Sequence, residues 1–262
     1  MKVAREQILA ALNEEEKTTA ALILDKAEKA LFSQNYVITD FLDPAGLDIA
    51  MKVLQQVEEV SYLLAGGYPL AERKKIIIIP VYYLMDIKDE GISVLEISGN
   101  AKFFAATHRD YLGSILGLGI KREKIGDILV LEHSCQVIVS SDIKEYIAAN
   151  LDKVGKAGVK VKEIDPEQLR FKAEKVKEIK TTVPSLRLDA VASSGFGISR
   201  SRMAKEITAE LVKVNWKVIT SASYQVKPED IISVRGKGRV MIEEIKGETK
   251  KGRIALVLKR YM

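Results

Sequence analysis

Over the first 35 residues, Ile8, Leu9 and Leu12, then Leu22, Ile23 and Leu31, recur at helical spacing and predict helix throughout. Phe41-Leu42-Asp43-Pro44-Ala45-Gly46 interrupts that pattern, because proline pushes the residue before it out of the helical region and glycine adds a second break. A second helix is expected from about 47 to 64, with Val53, Val57 and Val60 among its apolar positions and Gly66-Gly67 as its C-cap pair. On this reading the first 70 residues or so form a small helical unit.

From about residue 74 the period changes from helical to short β-branched runs: KKIIIIPV (74–81), ISVLEIS (92–98), DILVLE (127–132), CQVIVSS (135–141) and GVKVKEI (158–164). Two helices are interleaved with them. One is THRDYLGSILGLG (107–119), with Thr107 as N-cap and Asp110 completing a capping box, and the other is SDIKEYIAANLDKVG (141–155). Strands alternating with two helices predict a small α/β sandwich whose helices cover one face of the sheet. Residues 165–182 are a lysine- and glutamate-rich connector, readable as helix, as a strand returning to the middle sheet, or as both. The last part begins at Val183-Pro184. It should contain a short helix ending at Gly195, a second helix capped by Ser199, and strands at 212–215, 230–235, 238–245 and 253–260. There is no internal repeat and no low-complexity tract.

Charge changes this picture at the C-terminal end. The net +5 hides a split: residues 1–182 hold 25 basic and 28 acidic side chains (−3), and residues 183–262 hold 16 and 8 (+8). A mildly acidic body joined to a strongly basic end suggests a polyanion-binding module; a solvated basic face is the plain alternative. No apolar stretch reaches the ~18–20 residues that a membrane helix needs, and the charged N-terminus does not resemble a signal peptide. The single cysteine, Cys135, excludes an internal disulfide framework and suits a reducing, cytoplasmic setting.

Signatures of catalysis are missing. Gly113 and Gly117 are followed by Leu118 and not by the Lys-Ser/Thr of a phosphate loop, and Gly117-Leu118-Gly119 ends a helix where a dinucleotide fingerprint would open one. His133 and Cys135 lie two apart, but His108 is the only other histidine and no second cysteine exists to complete a zinc site. Cys135 therefore reads as a small buried hydrophobe. No nucleophile elbow occurs. The expectation is a protein without catalytic residues, metal or cofactor.

The helix at 199–211 is the informative segment. Met203, Ala204, Ile207 and Leu211 form one stripe and should face a core, with Ser201, Arg202 and Lys205 opposite. Arg200 and Arg202 lie in the first turn, where the helix dipole disfavours cations by ~0.3–1 kcal/mol each. That placement suits phosphate, which the free N–H groups and both guanidinium groups could contact. Pairing of these arginines with Glu206 or Asp189 is the alternative. Arg235-Gly236-Lys237-Gly238-Arg239 is a second candidate, since its glycines permit close backbone approach between three cations.

Arg187-Leu188-Asp189, Ile198-Ser199-Arg200-Ser201-Arg202-Met203-Ala204-Lys205, Val212-Lys213-Val214-Asn215 and Val226-Lys227-Pro228-Glu229-Asp230-Ile231-Ile232-Ser233-Val234 resemble, in order, the S4 RNA-binding domain. Asn215-Trp216 stands where that domain usually has Asn-Gly, and Glu229-Asp230 where it has Gly-Asp. Upstream, Thr39-Asp40-Phe41-Leu42-Asp43-Pro44, Gly66-Gly67-Tyr68 with Ala71-Glu72-Arg73-Lys74, His108-Arg109-Asp110-Tyr111-Leu112-Gly113 and Gly117 through Ile128 resemble the bacterial YlmH family. The resemblance implies an α+β protein: a helical N-terminal domain (1–72), an RRM-like (ferredoxin-like) α/β sandwich (73–164), the connector (165–182) and a C-terminal S4 domain with further strands (183–262).

The resemblance also implies a non-enzymatic RNA-binding protein. It would act, like the related RqcP proteins, on large ribosomal subunits carrying stalled peptidyl-tRNA, in quality control by alanine-tail synthesis; the family is also associated with cell-division gene clusters, and cyanobacterial relatives are labelled photosystem II S4 proteins. Its partners would be rRNA, with tRNA as a further candidate, and neither a membrane nor a small-molecule substrate is expected. The RNA-contacting set would be Arg187, Ser199, Arg200, Ser201, Arg202, Lys205, Lys213, Asn215, Arg235, Lys237 and Arg239. A second candidate surface is His108, Arg109, Lys121, Arg122 and Lys124. DILVLE and CQVIVSS contain none of the aromatics with which an RRM-like sheet stacks bases, so ordinary single-strand reading by that sheet is not expected. Two alternatives stand beside this reading: an RNA-modifying enzyme whose S4 domain delivers a catalytic body, and an interaction factor for the division machinery.

Overall fold

A computed structural model describes residues 2–84, 87, 89–99, 106–171, 176–249 and 252–261. Residues 172–175 of the expected connector lie outside the described set. The chain forms two compact units, Met1–Phe171 and Lys172–Met262.

In the first unit, the single helix expected over 1–35 is two, α1 (Lys2–Ala10) and α2 (Glu14–Ser33). The break comes at Asn13, whose side chain accepts from the Glu16 N–H at 3.0 Å and so competes with helix continuation. After β1 (Val37–Ile38), Asp43 caps α3 (Pro44–Leu54) by accepting from the Gly46 N–H at 2.9 Å, with Pro44 in the first turn. The expected interruption is thus also a helix start. The expected helix to residue 64 stops ten residues early, and β2 (Val60–Ala65) follows.

Tertiary pairing overrides local helical spacing here. The strand β3 (Lys75–Pro80) needs partners for its buried Ile76–Ile78 run and takes them from β1 and β2, giving the sheet order β1-β3-β2. That strand, expected to open the middle sheet, belongs to the N-terminal one. Gly66 is correspondingly no helix cap: a Cβ there would lie 2.5 Å from the Ala71 Cβ, so it permits a close approach of two chain segments. Ile23, Leu24, Leu47, Val53 and Leu54 from the helices close over Ile76 and Ile78.

The rest of this unit runs β4 (Ile92–Gly99), α4 (His108–Leu116), β5 (Ile125–Val130), β6 (Ser134–Ser140), α5 (Lys144–Asn150), β7 (Lys153–Val154) and β8 (Ala157–Ile164). The antiparallel order β5-β6-β4-β8-β7 puts the first and third strands at the centre, as in an RRM-like sandwich. The capping box at Thr107 forms as expected, the Asp110 carboxylate accepting from both the N–H and the hydroxyl of Thr107. Tyr111, Ile115 and Ile147 of the two helices pack on Leu95, Ile97, Cys135, Val137 and Val139. Cys135 is the buried hydrophobe it was read as, and burial pushes its thiol pKa far up.

The second unit runs β9 (Val176–Val183), α6 (Leu188–Phe196), α7 (Arg200–Thr208), β10 (Val212–Val214), β11 (Lys217–Val218), β12 (Ile231–Val234), β13 (Gly238–Glu248) and β14 (Ile254–Tyr261). They build one antiparallel sheet, β11-β10-β12-β13-β14-β9. The strand of the connector therefore returns to this sheet and not to the middle one: Val183 faces Ile254 and buries itself in the core. α6 continues past Gly195 to Phe196 and stops at Gly197 (φ +67°). Gly195 instead lets the helix sit against the sheet, since a Cβ would lie 2.9 Å from a Val240 methyl.

Candidate nucleic-acid interface

Helix α7 buries Met203 and Ile207, leaves Ala204 partly exposed, and turns Ser201, Arg202 and Lys205 outward; it ends at Thr208, so Leu211, expected on the same stripe, lies beyond the helix and is partly exposed. Its cap is Ser199, whose hydroxyl accepts from the Arg202 N–H at 3.3 Å and approaches the Ser201 hydroxyl at 3.2 Å. The two first-turn arginines are both paired and displayed. Arg200 Nε meets Asp189 Oδ2 at 3.0 Å, and Arg187 approaches both oxygens of the same carboxylate at 3.2 Å. Arg202 Nε lies 3.5 Å and Lys237 Nζ 3.2 Å from Glu206 Oε1.

Each acid therefore holds two cations of the expected set: Asp189 takes one from the start of α6 and one from α7, and Glu206 takes one from its own helix and one from the β12–β13 turn. Asp189 is nearly buried, yet the Arg200 and Arg202 side chains remain 46% and 66% exposed, which leaves donors for a phosphate. Burial alone would raise the Asp189 pKa; hydrogen bonds from Arg187 and Arg200 outweigh it and hold the carboxyl below its ordinary range. Glu206 Oε2 is buried with no hydrogen-bond partner, so this acid is only half satisfied.

The sheet carries further cations on its face away from the core it shares with α7. Lys213 points outward between buried Val212 and Val214, and its register runs through Ser233 to Arg239, whose guanidinium lies 5.5 Å from the Tyr261 ring centre. The Arg235–Arg239 segment is the β12–β13 hairpin turn, with Gly236 (φ +79°) and Gly238 (φ +89°) in conformations that glycine adopts freely, and Lys237 reaches α7 from it. Arg235 is exposed.

Asn215 differs from the rest of the set. Its amide donates to buried Asp230 at 2.9 Å and accepts from the Ile231 N–H at 2.9 Å, while Asp230 also accepts from the Lys227 N–H. The Asn215 side chain thus fastens the turn and is not presented for RNA contact. Asn215 (φ +48°) and Trp216 (φ +64°) form a two-residue hairpin between β10 and β11, with both residues left-handed as a type I′ turn requires. Glycine would take the second position without strain, whereas tryptophan costs roughly 1–2 kcal/mol there.

The second expected surface is largely consumed inside its own unit. Lys124 pairs with Asp40 at 3.0 Å and Asp142 at 2.7 Å. Arg122 donates to the Ile125 and Gly126 carbonyls, and burial together with neighbouring Arg73 lowers its pKa to about 10. Asp127 accepts from the Tyr68 hydroxyl and from the Glu72 and Arg73 N–H groups at 2.7–3.0 Å, while the Arg73 guanidinium donates to the Phe41 and Ile125 carbonyls. Burial raises the Asp127 pKa despite those donors. Much of His108 is exposed, but partial desolvation of its ring and then the charge of Arg122 lower its pKa. Lys121 and Arg109 are exposed. The upstream motif segments meet at this junction, which ties the N-terminal sheet to the middle one.

The helix-free face of the middle sheet is covered. Val94, Ile138 and Ile164 pack under Phe41, Tyr68 and Leu169. Gln136 donates to the Gln168 carbonyl and accepts from the Arg170 N–H, and Arg170 pairs with Glu96. Beyond lacking aromatics, the face with which an RRM-like sheet reads single strands is occupied by the chain itself. The pairing of Arg200 and Arg202 with Asp189 and Glu206, given from sequence as the alternative to phosphate contact, forms, and both guanidinium groups stay exposed beside it; the role of Asp230, 15 residues from Asn215, had no local signal in the sequence.

Two helices with a basic, capped second helix, packed on an antiparallel sheet, define an RNA-binding protein of the S4 class, and the S4 domain model matches residues 186–232. The models "YlmH, N-terminal" and "Putative RNA-binding domain in YlmH" match residues 15–83 and 86–168. The chain belongs to the YlmH family: it is 40% identical over 223 residues to the Bacillus subtilis "Ribosome-associated protein quality control protein P2", covering 85% of this chain and 86% of that protein. The solved structure of "Cell division protein ylmH from Streptococcus pneumoniae" superposes with a TM-score of 0.51 at 25% identity, over 61% of this chain and 97% of that one. "Small ribosomal subunit protein uS4" of Chromohalobacter salexigens is 43% identical over 54 residues, 20% of this chain and 26% of that protein. β9, β13 and β14 lie outside the S4 match and widen its sheet from three strands to six. No helix among the described residues is long and apolar enough to cross a membrane.

Proposed function

We propose that the chain binds structured rRNA on the large ribosomal subunit, together with peptidyl-tRNA, as a non-catalytic cytoplasmic factor in ribosome-associated quality control. The observation that carries this reading is the paired but exposed cation set of α7 and the β12–β13 turn. Arg187, Arg200, Arg202 and Lys237 are held at fixed spacing by two acids, with Lys205 and Lys213 exposed on the same module. Phosphate contacts of this kind dominate RNA affinity. The quality-control relative supports the ribosomal setting.

The test is sucrose-gradient co-sedimentation of the tagged protein from cells, with and without alanine at Arg200, Arg202 and Lys205. Migration with free large subunits that the triple substitution abolishes is the expected result. Migration at the top of the gradient for the unsubstituted protein would overturn it.

A further inference from the structure

The two edges of the N-terminal sheet differ. β1 is two residues long, whereas β2 is six residues long and forms the other edge of the order β1-β3-β2. The Val81 N–H donates to the Glu59 carbonyl at 3.0 Å, and the Thr39 N–H donates to the Ile76 carbonyl at 2.9 Å. These two bonds set the phase of the antiparallel ladder. Ser61, Leu63 and Ala65 bond to β3, while Tyr62 and Leu64, opposite Ile78 and Ile76, direct N–H and C=O toward the open edge. Among the described residues neither backbone meets a partner there. Sheet edges are ordinarily blunted by lysine, proline or a bulge. Val60–Ala65 holds no charge, no proline and no register shift, and Leu63 and Leu64 are 54% and 40% exposed on its two faces. Acids mark both ends of this apolar edge. Glu58 and Glu59, both exposed, precede it. A cavity of about 660 Å³ follows it, lined by Leu64, Pro69 and Ile92 with exposed Asp89 and Glu90, and Lys74 is the single cation of that lining.

We propose that β2 is a docking edge for an extended segment of a partner protein, apolar at its centre and basic at both ends, which adds a fourth strand to this sheet. A second copy of the chain fits less well. Two-fold pairing of two β2 edges, Tyr62 against Leu64, sets Glu58 and Glu59 of each copy opposite Tyr68 and Gly67 of the other, where the same cavity carries Asp89 and Glu90. Like charges would then crowd both ends. The inference concerns the first unit alone and does not depend on the S4 module binding RNA.

The probe is a fluorescein-labelled peptide, Lys-Lys-Val-Thr-Val-Thr-Val-Lys-Lys. One control carries glutamine for every lysine, and a second carries proline for both threonines, which keeps the charge but cannot pair as a strand. Full-length protein is titrated with each by anisotropy, and amide exchange over residues 60–65 is followed by mass spectrometry. The basic peptide should bind roughly tenfold tighter than either control, lose part of that margin as salt rises, and slow exchange over 60–65. Leu64→Pro removes an N–H that β3 does not use, so it should leave Tm nearly unchanged and lower affinity about tenfold. Leu64→Val keeps that N–H and should bind within about twofold of the unsubstituted protein. Absence of binding, equal binding of the proline control, or unchanged affinity in a folded Leu64→Pro variant would overturn the docking edge. Should that variant not fold, exchange decides: no slowing over 60–65 in the unsubstituted protein saturated with peptide would overturn it equally. A concentration-dependent dimer that protects 60–65 without peptide would assign the edge to a second copy, and would also overturn the proposal.

Discussion

The two basic clusters of this chain look alike as strings of residues and differ in what the fold does with them. Around residues 121–127, Arg122 and Lys124 are turned onto carbonyls and carboxylates that join two sheets of one unit. In the other unit the acids are placed one to a pair of cations, so Arg200 and Arg202 are steadied while their donors stay open to solvent. A cation is available to a ligand only where its partners leave it unsaturated and exposed. Counts of lysine and arginine do not carry that information.

The largest test of this contrast is RNA affinity. Alanine at Arg200, Arg202 and Lys205 should reduce binding at least tenfold and flatten the salt slope by up to roughly 0.9 per lost duplex-phosphate contact, or ~0.7 on single strands. Filter binding across a salt series checks it. An unchanged slope in a folded triple variant would erase the distinction between the clusters.

Next in size is Asp127→Ala, which should cost about 2–4 kcal/mol by stranding the Tyr68 hydroxyl and the Glu72 and Arg73 N–H groups. Urea unfolding of the first unit reads this, and RNA affinity should not move. A matching loss of affinity would make the junction part of the RNA surface.

Asp189→Asn gives a smaller effect with an informative sign. Removing a negative charge from a phosphate site should strengthen binding by field alone. If Asp189 positions Arg187 and Arg200, affinity should fall severalfold, measured by the same filter assay. The folded-state pKa of this carboxyl is depressed, so its stabilisation is present above the unfolded value of about 3.9 and is lost as pH falls through the folded value. Acid unfolding of the second unit should therefore lose part of its pH dependence in this variant. Smallest of all, alanine at Lys121 and Lys124 should change RNA affinity less than twofold, since one is a lone exposed lysine and the other is already ion-paired.

Much of this protein follows from local sequence. The strands at 92–98, 127–132 and 135–141, the capping box at Thr107, the Ser199 cap and the buried Met203–Ile207 stripe of α7 depend on contacts within a few residues, where periodicity and cap chemistry decide. The Arg-Leu-Asp, Ser-Arg-Ser-Arg and strand motifs in order were enough to place the S4 module.

What the tertiary structure decided involves partners distant in the chain. Residues 60–65 are strand and not helix because Ile76–Ile79 need a neighbour, and the connector strand pairs with β14 more than 70 residues away. The covering of the middle sheet by Phe41, Tyr68 and Leu169, and the division of cations between saturated and open, likewise depend on which segments meet. The cause is the same in each case: burial and pairing energies arise from contacts at large sequence separation, which a local window does not contain.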